Sequence, residues 1–197
     1  MEHIDDARRF GADERWTGIL SRELGPKWRI HEEGLPGRTT VHPDPIEGEH
    51  LSGLAAIPIV IGTHTPIDVL TLMLGTNDLK ARFAVGASDI AAGAERLIAA
   101  IHMYCQSFGR PLPQIILIAP PRILELGCLA DMFAGGKAKS NKLATHFSRV
   151  AQRKQVSFLD AGTHIRSSAV DGIHFDLDQH ARLAEVIKQK LLLLPRT

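Results

Sequence analysis

The chain has 197 residues, enough for one domain whose core needs neither disulfide nor metal to hold it. Its 23 Lys and Arg against 22 Asp and Glu leave a net charge of +1, without the basic excess of a nucleic-acid binder, and 44% hydrophobic with 23% charged residues excludes a disordered chain. Cys105 and Cys128 are too few for a disulfide scaffold and lack metal-ligand spacing, no apolar run is long enough to span a membrane, and the polar opening residues carry no secretory core, so a soluble cytoplasmic protein is the expectation.

Strand and helix patterns alternate along the chain. Residues 14–24 place Trp16, Ile19, Leu20 and Leu24 on one helical stripe. Residues 27–35 (KWRIHEEGL) read as a short strand that runs into a glycine-containing turn. Residues 51–63 read as a helix, although Pro58 interrupts the pattern. Residues 67–74 (IDVLTLML) form a nearly continuous apolar run ended by Gly75. A long helix is predicted at 88–108, opened by Ser88-Asp89 and stopped before Pro111. QIILIA at 114–119 is a second apolar strand closed by two prolines, and VSFLDA at 156–161 a third. Amphipathic helices are predicted at 141–153 and 178–194, the last with Asp178 as its N-cap. Apolar strands between helices imply an α/β domain of three layers, α/β/α, with a parallel sheet, flavodoxin-like in layer order. In such sheets the working site lies beyond the carboxyl ends of the strands.

Three loops at that edge carry chemistry. Gly75-Thr76-Asn77-Asp78 follows the 67–74 strand, and the amide of Asn77 is a neutral donor placed where it could stabilise an oxyanion. The same string is also good turn chemistry, and a turn that merely ends the strand is the alternative. In Asp171-Gly172-Ile173-His174 the carboxylate can fold back onto Nδ1 of the imidazole and leave Nε2 as a base. With nine other histidines in the chain, an ordinary surface His is the competing reading. Gly34 to Thr40 (GLPGRTT) could aim a backbone N–H at a developing anion, or could be a plain turn. Together, an Asn donor, a backbone donor and an oriented His make up most of an acyl-transfer site.

GTND and DGIH, with EEGLPGRTT, IAPP at 118–121 and FLDAG at 158–162, resemble the SGNH (GDSL-type) hydrolases, in particular the bacterial arylesterase/acyltransferase branch. The likeness runs from about Arg15 to the C-terminal helix. It implies His174 as general base, Asp171 as its orienter, and Asn77 and Gly37 as oxyanion-hole donors. Ile173, Phe175 and Phe83 are candidates for the substrate pocket, with core packing as the equal alternative. It also implies a small carboxylic ester as substrate, transfer to water or an alcohol, and neither cofactor nor metal. No nucleic-acid or membrane partner is expected. A homo-oligomer stays open, since residues 135–142 and 42–50 are long enough to contribute to an interface.

The family's nucleophile is a serine in a Gly-Asp-Ser-Leu block after the first strand, and no such block occurs in this sequence. Ser88 reads as a helix cap, and Ser167 and Ser168 do not follow a strand. The resemblance implies a sheet order of 2-1-3-4-5 with the nucleophile strand central. Without it, the 27–35 and 67–74 strands must pair with each other or expose apolar edges. The expectation is an N-terminally incomplete SGNH-like domain spanning 1–197, with the central first strand missing. The alternative is a shortened, catalytically inactive paralogue that binds a small ligand or partner.

Overall fold

The computed structural model describes residues 9–195. Its regular elements are α1 (Trp16–Leu24), α2 (Gly53–His64), β1 (Val69–Leu72), α3 (Ala87–Ser107), β2 (Gln114–Ala119), α4 (Gly136–Lys154), β3 (Ser157–Asp160) and α5 (Leu177–Leu192). The strands pair in parallel in the order β1-β2-β3, with Val69 opposite Gln114 and Ile116 opposite Ser157.

The pleat of β2 divides the core. Ile115, Leu117 and Ala119 face a cluster built with Ile57 and Ile61 of α2, Ile90, Leu97 and Ile101 of α3, and Leu143 and Phe147 of α4. Ile116 and Ile118 face the other way, onto Leu20 of α1 and Leu183 and Ile187 of α5. Side chains of a strand alternate between faces, so the five consecutive apolar residues from Ile115 to Ala119 serve two helical layers at once. The result is the expected three-layer α/β arrangement.

Three local expectations need correction. Residues 27–35 are not a strand: among the described residues no backbone N–H from Arg29 to Gly34 donates to a protein acceptor, and the only ladder of β1 is with β2. The segment still alternates like one, with Trp28 and Ile30 half-buried and Lys27, Arg29 and His31 exposed. It is held by side chains instead. Glu32 takes Arg9, Arg15 and Thr17, while Glu33 meets Nε2 of His64 at 2.6 Å. An extended backbone becomes a strand only when a neighbour supplies the ladder. β1 bears the matching mark: Val69, Leu70 and Thr71 are only half-buried, whereas β2 is buried from Ile115 onward. Second, α5 is capped by Asp176, not Asp178; the backbone carbonyl of Asp176 receives the N–H groups of Gln179 and His180. Third, α3 begins after Gly86, whose N–H donates to the Asp89 carboxylate at 2.9 Å, so Ser88 lies inside the first turn. Pro58 sits within α2 without ending it. Among the described residues no helix is long and apolar enough to cross a membrane.

Candidate active site

The carboxyl edge of β1 opens on Gly75 at φ +119, where a Cβ would lie 3.1 Å from Ile90 and 3.2 Å from Phe147. Only glycine combines that backbone with that space. A short 3-10 turn, Asn77–Leu79, follows. Its two polar residues both reach to the 37–40 loop. Asn77 Nδ2 donates to the carbonyl of Arg38 at 3.1 Å, which points the amide nitrogen toward that loop. Asp78, fully buried, accepts the N–H of Thr40 at 3.1 and 2.9 Å and also its hydroxyl. Burial pushes the Asp78 carboxyl above its ordinary range, and the Thr40 hydrogen bonds only partly offset this. Gly37, next to the carbonyl that Asn77 holds, has φ +82, and its N–H has no acceptor among the described residues. A Cβ there would lie 3.0 Å from Leu51 and 3.1 Å from the Glu47 carboxylate. Two donors with unspent N–H groups therefore lie on loops that are hydrogen-bonded to each other.

After β3 the chain makes a 3-10 turn, Ala161–Thr163, and then a loop docked onto the residues that follow β2. Leu124 N–H donates to Gly172 O at 2.9 Å, and Ser167 Oγ donates to Arg122 O at 3.0 Å. In this loop the Asp171 side chain is 1% exposed, and its Oδ2 accepts from Nδ1 of His174 at 2.6 Å. Its other oxygen accepts the N–H groups of Ile173 and His174, each at 2.9 Å. Burial alone would raise the Asp171 carboxyl, but those N–H groups and the imidazole hold it below its usual value. The carboxylate is thus fixed, ionised and aligned, and the imidazole, 22% exposed, has no partner on Nε2 among the described residues, which leaves that nitrogen to move a proton.

Gly172, at φ +76, lets Asp171 and His174 fold together, and a Cβ there would fall 2.1 Å from the carbonyl oxygen of Leu124. Gly172→Ala is therefore expected to destabilise by about 2–3 kcal/mol through strain and the lost loop contact. Urea unfolding checks this, and a midpoint within error of the parent would contradict it.

The two halves are continuous. Ala81 N–H donates to Met132 O at 2.8 Å, and Gly127, a few residues earlier, packs against the carbonyl of Val170. Leu79, Ile123, Leu129 and Ile173 share one cluster beneath these loops.

Four charges at this rim were not singled out from the sequence. Lys80, 2% exposed, lies 3.3 Å from Asp44 and 2.7 Å from Glu47, and Arg82 lies 3.0 Å from each of the same two carboxylates. Burial raises the Asp44 carboxyl, but the N–H groups of Glu47 and Ile46 and the Lys80 ammonium outweigh it and hold the pKa at about 2. This quartet ties the 42–50 loop to the chain after β1 and sets Glu47 beside Gly37. Its sequence signal is weak, because carboxylates 33 to 38 residues from their cations leave no local pattern.

The three candidate pocket residues each have a partner inside the protein. Ile173 is 7% exposed in the larger core cluster. Phe175 packs on the smaller cluster and edges the His180 ring at 5.8 Å. Phe83 stacks on His42 at 5.5 Å. The loop serines are engaged as well: Ser167 as above, and Ser168 Oγ with Val170 N–H at 3.2 Å. Cys105 is buried, and burial raises its thiol, while Cys128 is exposed. Among the described residues no three His, Cys, Asp or Glu side chains group as a metal site would need.

Comparison with known proteins places this arrangement. No curated protein matches the chain in sequence. Among solved structures, the native aryl esterase of M. smegmatis superposes with a TM-score of 0.90 at 35% identity, over 95% of this chain and 89% of that one. Est24, a carbohydrate acetylesterase from Sinorhizobium meliloti, gives 0.89 at 33% identity over 94% and 87%. A carbohydrate acetylesterase family member from the same organism gives 0.90 at 28% identity over 96% and 91%. The sequence model of the GDSL-like lipase/acylhydrolase family matches residues 4–182. A match spanning both the GTND turn and the Asp171–His174 loop, on a sheet and helix order shared with these esterases, establishes that the chain belongs to the GDSL-like lipase/acylhydrolase family.

Proposed function

We propose that this site cleaves small carboxylic esters by acyl transfer through a serine supplied from outside the present sequence. The observation that carries the reading is the Asp171–His174 pair: a buried, ionised carboxylate 2.6 Å from Nδ1 of a half-buried imidazole. A surface histidine has no need of such a partner. In the proposed reaction Nε2 of His174 takes the hydroxyl proton as the serine oxygen attacks the ester carbonyl. Asp171 stabilises the imidazolium. The Asn77 amide and the Gly37 N–H receive the oxyanion, a contribution of about 3 kcal/mol per donor in comparable sites. Collapse of the tetrahedral adduct breaks the C–O bond, and His174 returns the proton to the leaving alcohol. Water, or a second alcohol where the site is dry, then takes the acyl group by the same steps reversed. Similarity to aryl and carbohydrate esterases supports a small ester as substrate. The half-buried edge of β1 and the 29–34 backbone, which has no ladder among the described residues, support a serine-bearing strand that pairs with both.

The chain by itself is expected to turn over p-nitrophenyl acetate at background rate. Fusion of an upstream strand ending in Gly-Asp-Ser-Leu is expected to raise the rate well above it. Robust hydrolysis by the unextended chain overturns the assignment of the nucleophile. A correctly folded fusion that stays inert favours the second reading, a non-catalytic protein that keeps the ligand cleft. The observation on that side is the absence of an unengaged serine beside His174 among the described residues.

A further inference from the structure

Helix α4 concentrates charge. It holds six of the 23 Lys and Arg and none of the 22 Asp and Glu, so a chain of net charge +1 divides into a helix of +6 and a remainder of −5. The cations are also ordered. Lys139, Lys142, His146, Arg149 and Arg153 recur at steps of three and four residues, which on an α-helix is one stripe roughly 20 Å long. Like charges at that spacing oppose each other, and most members of the stripe have no carboxylate to relieve them. Among the described residues Lys139, Lys142, His146 and Arg149 make no ion pair, while Arg153 shares Glu95 with Lys154. Asp89, the other nearby carboxylate on α3, is engaged with Gly86 N–H.

The stripe borders a concavity. Between α4 and the first two turns of α3 lies a groove of about 220 Å³, with His146, Arg149 and Arg153 on one wall and Ser88 and Ala92 on the other. The alanines keep the α3 wall low. Ser88 brings a hydroxyl at the amino end of α3, where the helix dipole also favours an anion. Two guanidinium groups one turn apart, an imidazole and a hydroxyl suit the oxygens of a tetrahedral dianion, and Lys139 and Lys142 raise the potential along the approach.

We propose that this groove binds a phosphate monoester, its dianion held by Arg149, Arg153, His146 and Ser88. The site lies on the outer side of the α3–α4 layer and does not depend on the acyl-transfer reading. The same chemistry is offered by a soluble phosphate ester and by the headgroup of phosphatidic acid.

The test titrates inorganic phosphate into ¹⁵N-labelled protein at constant ionic strength. Saturable shifts are expected at the Ser88 and Ala92 amides and the His146 ring, with a Kd on the order of 1 mM. Arg149→Gln, an exposed substitution, is expected to weaken binding at least tenfold, and Lys27→Gln, beyond α1 in the other helical layer, to leave it unchanged. A second arm measures co-sedimentation with phosphatidylcholine vesicles doped with phosphatidic acid. Vesicle binding that phosphate competes away assigns the lipid headgroup, and phosphate binding without vesicle binding assigns a soluble ester. Shifts that chloride reproduces, or phosphate binding equally tight in Arg149→Gln, overturn the proposal.

Discussion

With a serine supplied on an upstream strand, His174→Ala is expected to lower kcat for p-nitrophenyl acetate by about four orders of magnitude, leaving the rate due to the donors alone. The proton must leave the serine as the carbonyl is attacked, and the Asp171–His174 pair is the only arrangement at this rim, among the described residues, built to take it. Asp171→Asn makes a separate check. It keeps an oxygen for the Ile173 and His174 N–H groups but turns an NH₂ toward Nδ1, which reverses the tautomer and leaves the proton on Nε2. A comparable loss of kcat is expected with the melting temperature little changed. Near-normal turnover in His174→Ala would remove the assigned base.

Lys80→Met is expected to destabilise the fold by about 3–5 kcal/mol, the cost of breaking a buried ionic set from one side. For a chain of this size that is a fall in Tm of roughly 10 °C. The substitution keeps the side-chain volume but leaves Asp44, fully buried, and Glu47 sharing Arg82 alone. The pH dependence follows from Asp44. A carboxyl held at about 2, below its ordinary value near 4, adds stability that is complete above the ordinary value and is lost as pH falls toward 2. In the variant the Asp44 carboxylate loses the Lys80 ammonium, so its folded-state pKa rises and its protonation relieves the repulsion. The deficit against the parent should therefore narrow as pH falls through the carboxylate range. Urea unfolding at several pH values measures it, and a loss under 1 kcal/mol at neutral pH would show that the quartet contributes little.

Local chemistry made much of this protein legible. The run QIILIA is β2 to the residue, because five apolar residues set between Gln114 and two prolines have one stable use between two helical layers. The Asp171-Gly172-Ile173-His174 string carries its own geometry, since the hydrogen bonds that shape it join residues two and three apart. Family likeness of the same strings led to the correct fold. Other features depend on partners far along the chain. Residues 27–35 alternate as a strand does, but pairing belongs to the neighbour and not to the segment. Asp78 looked like half of a turn, and only the fold brings Thr40 to it across 38 residues. Lys80 and Arg82 carry no local pattern that names their partners, and only the fold brings the carboxylates of the 42–50 loop to them. Backbone preference and hydrophobic period act over a few residues and are written in the order of the chain. Ion pairing, burial and strand pairing act through space and exist only once the layers have met.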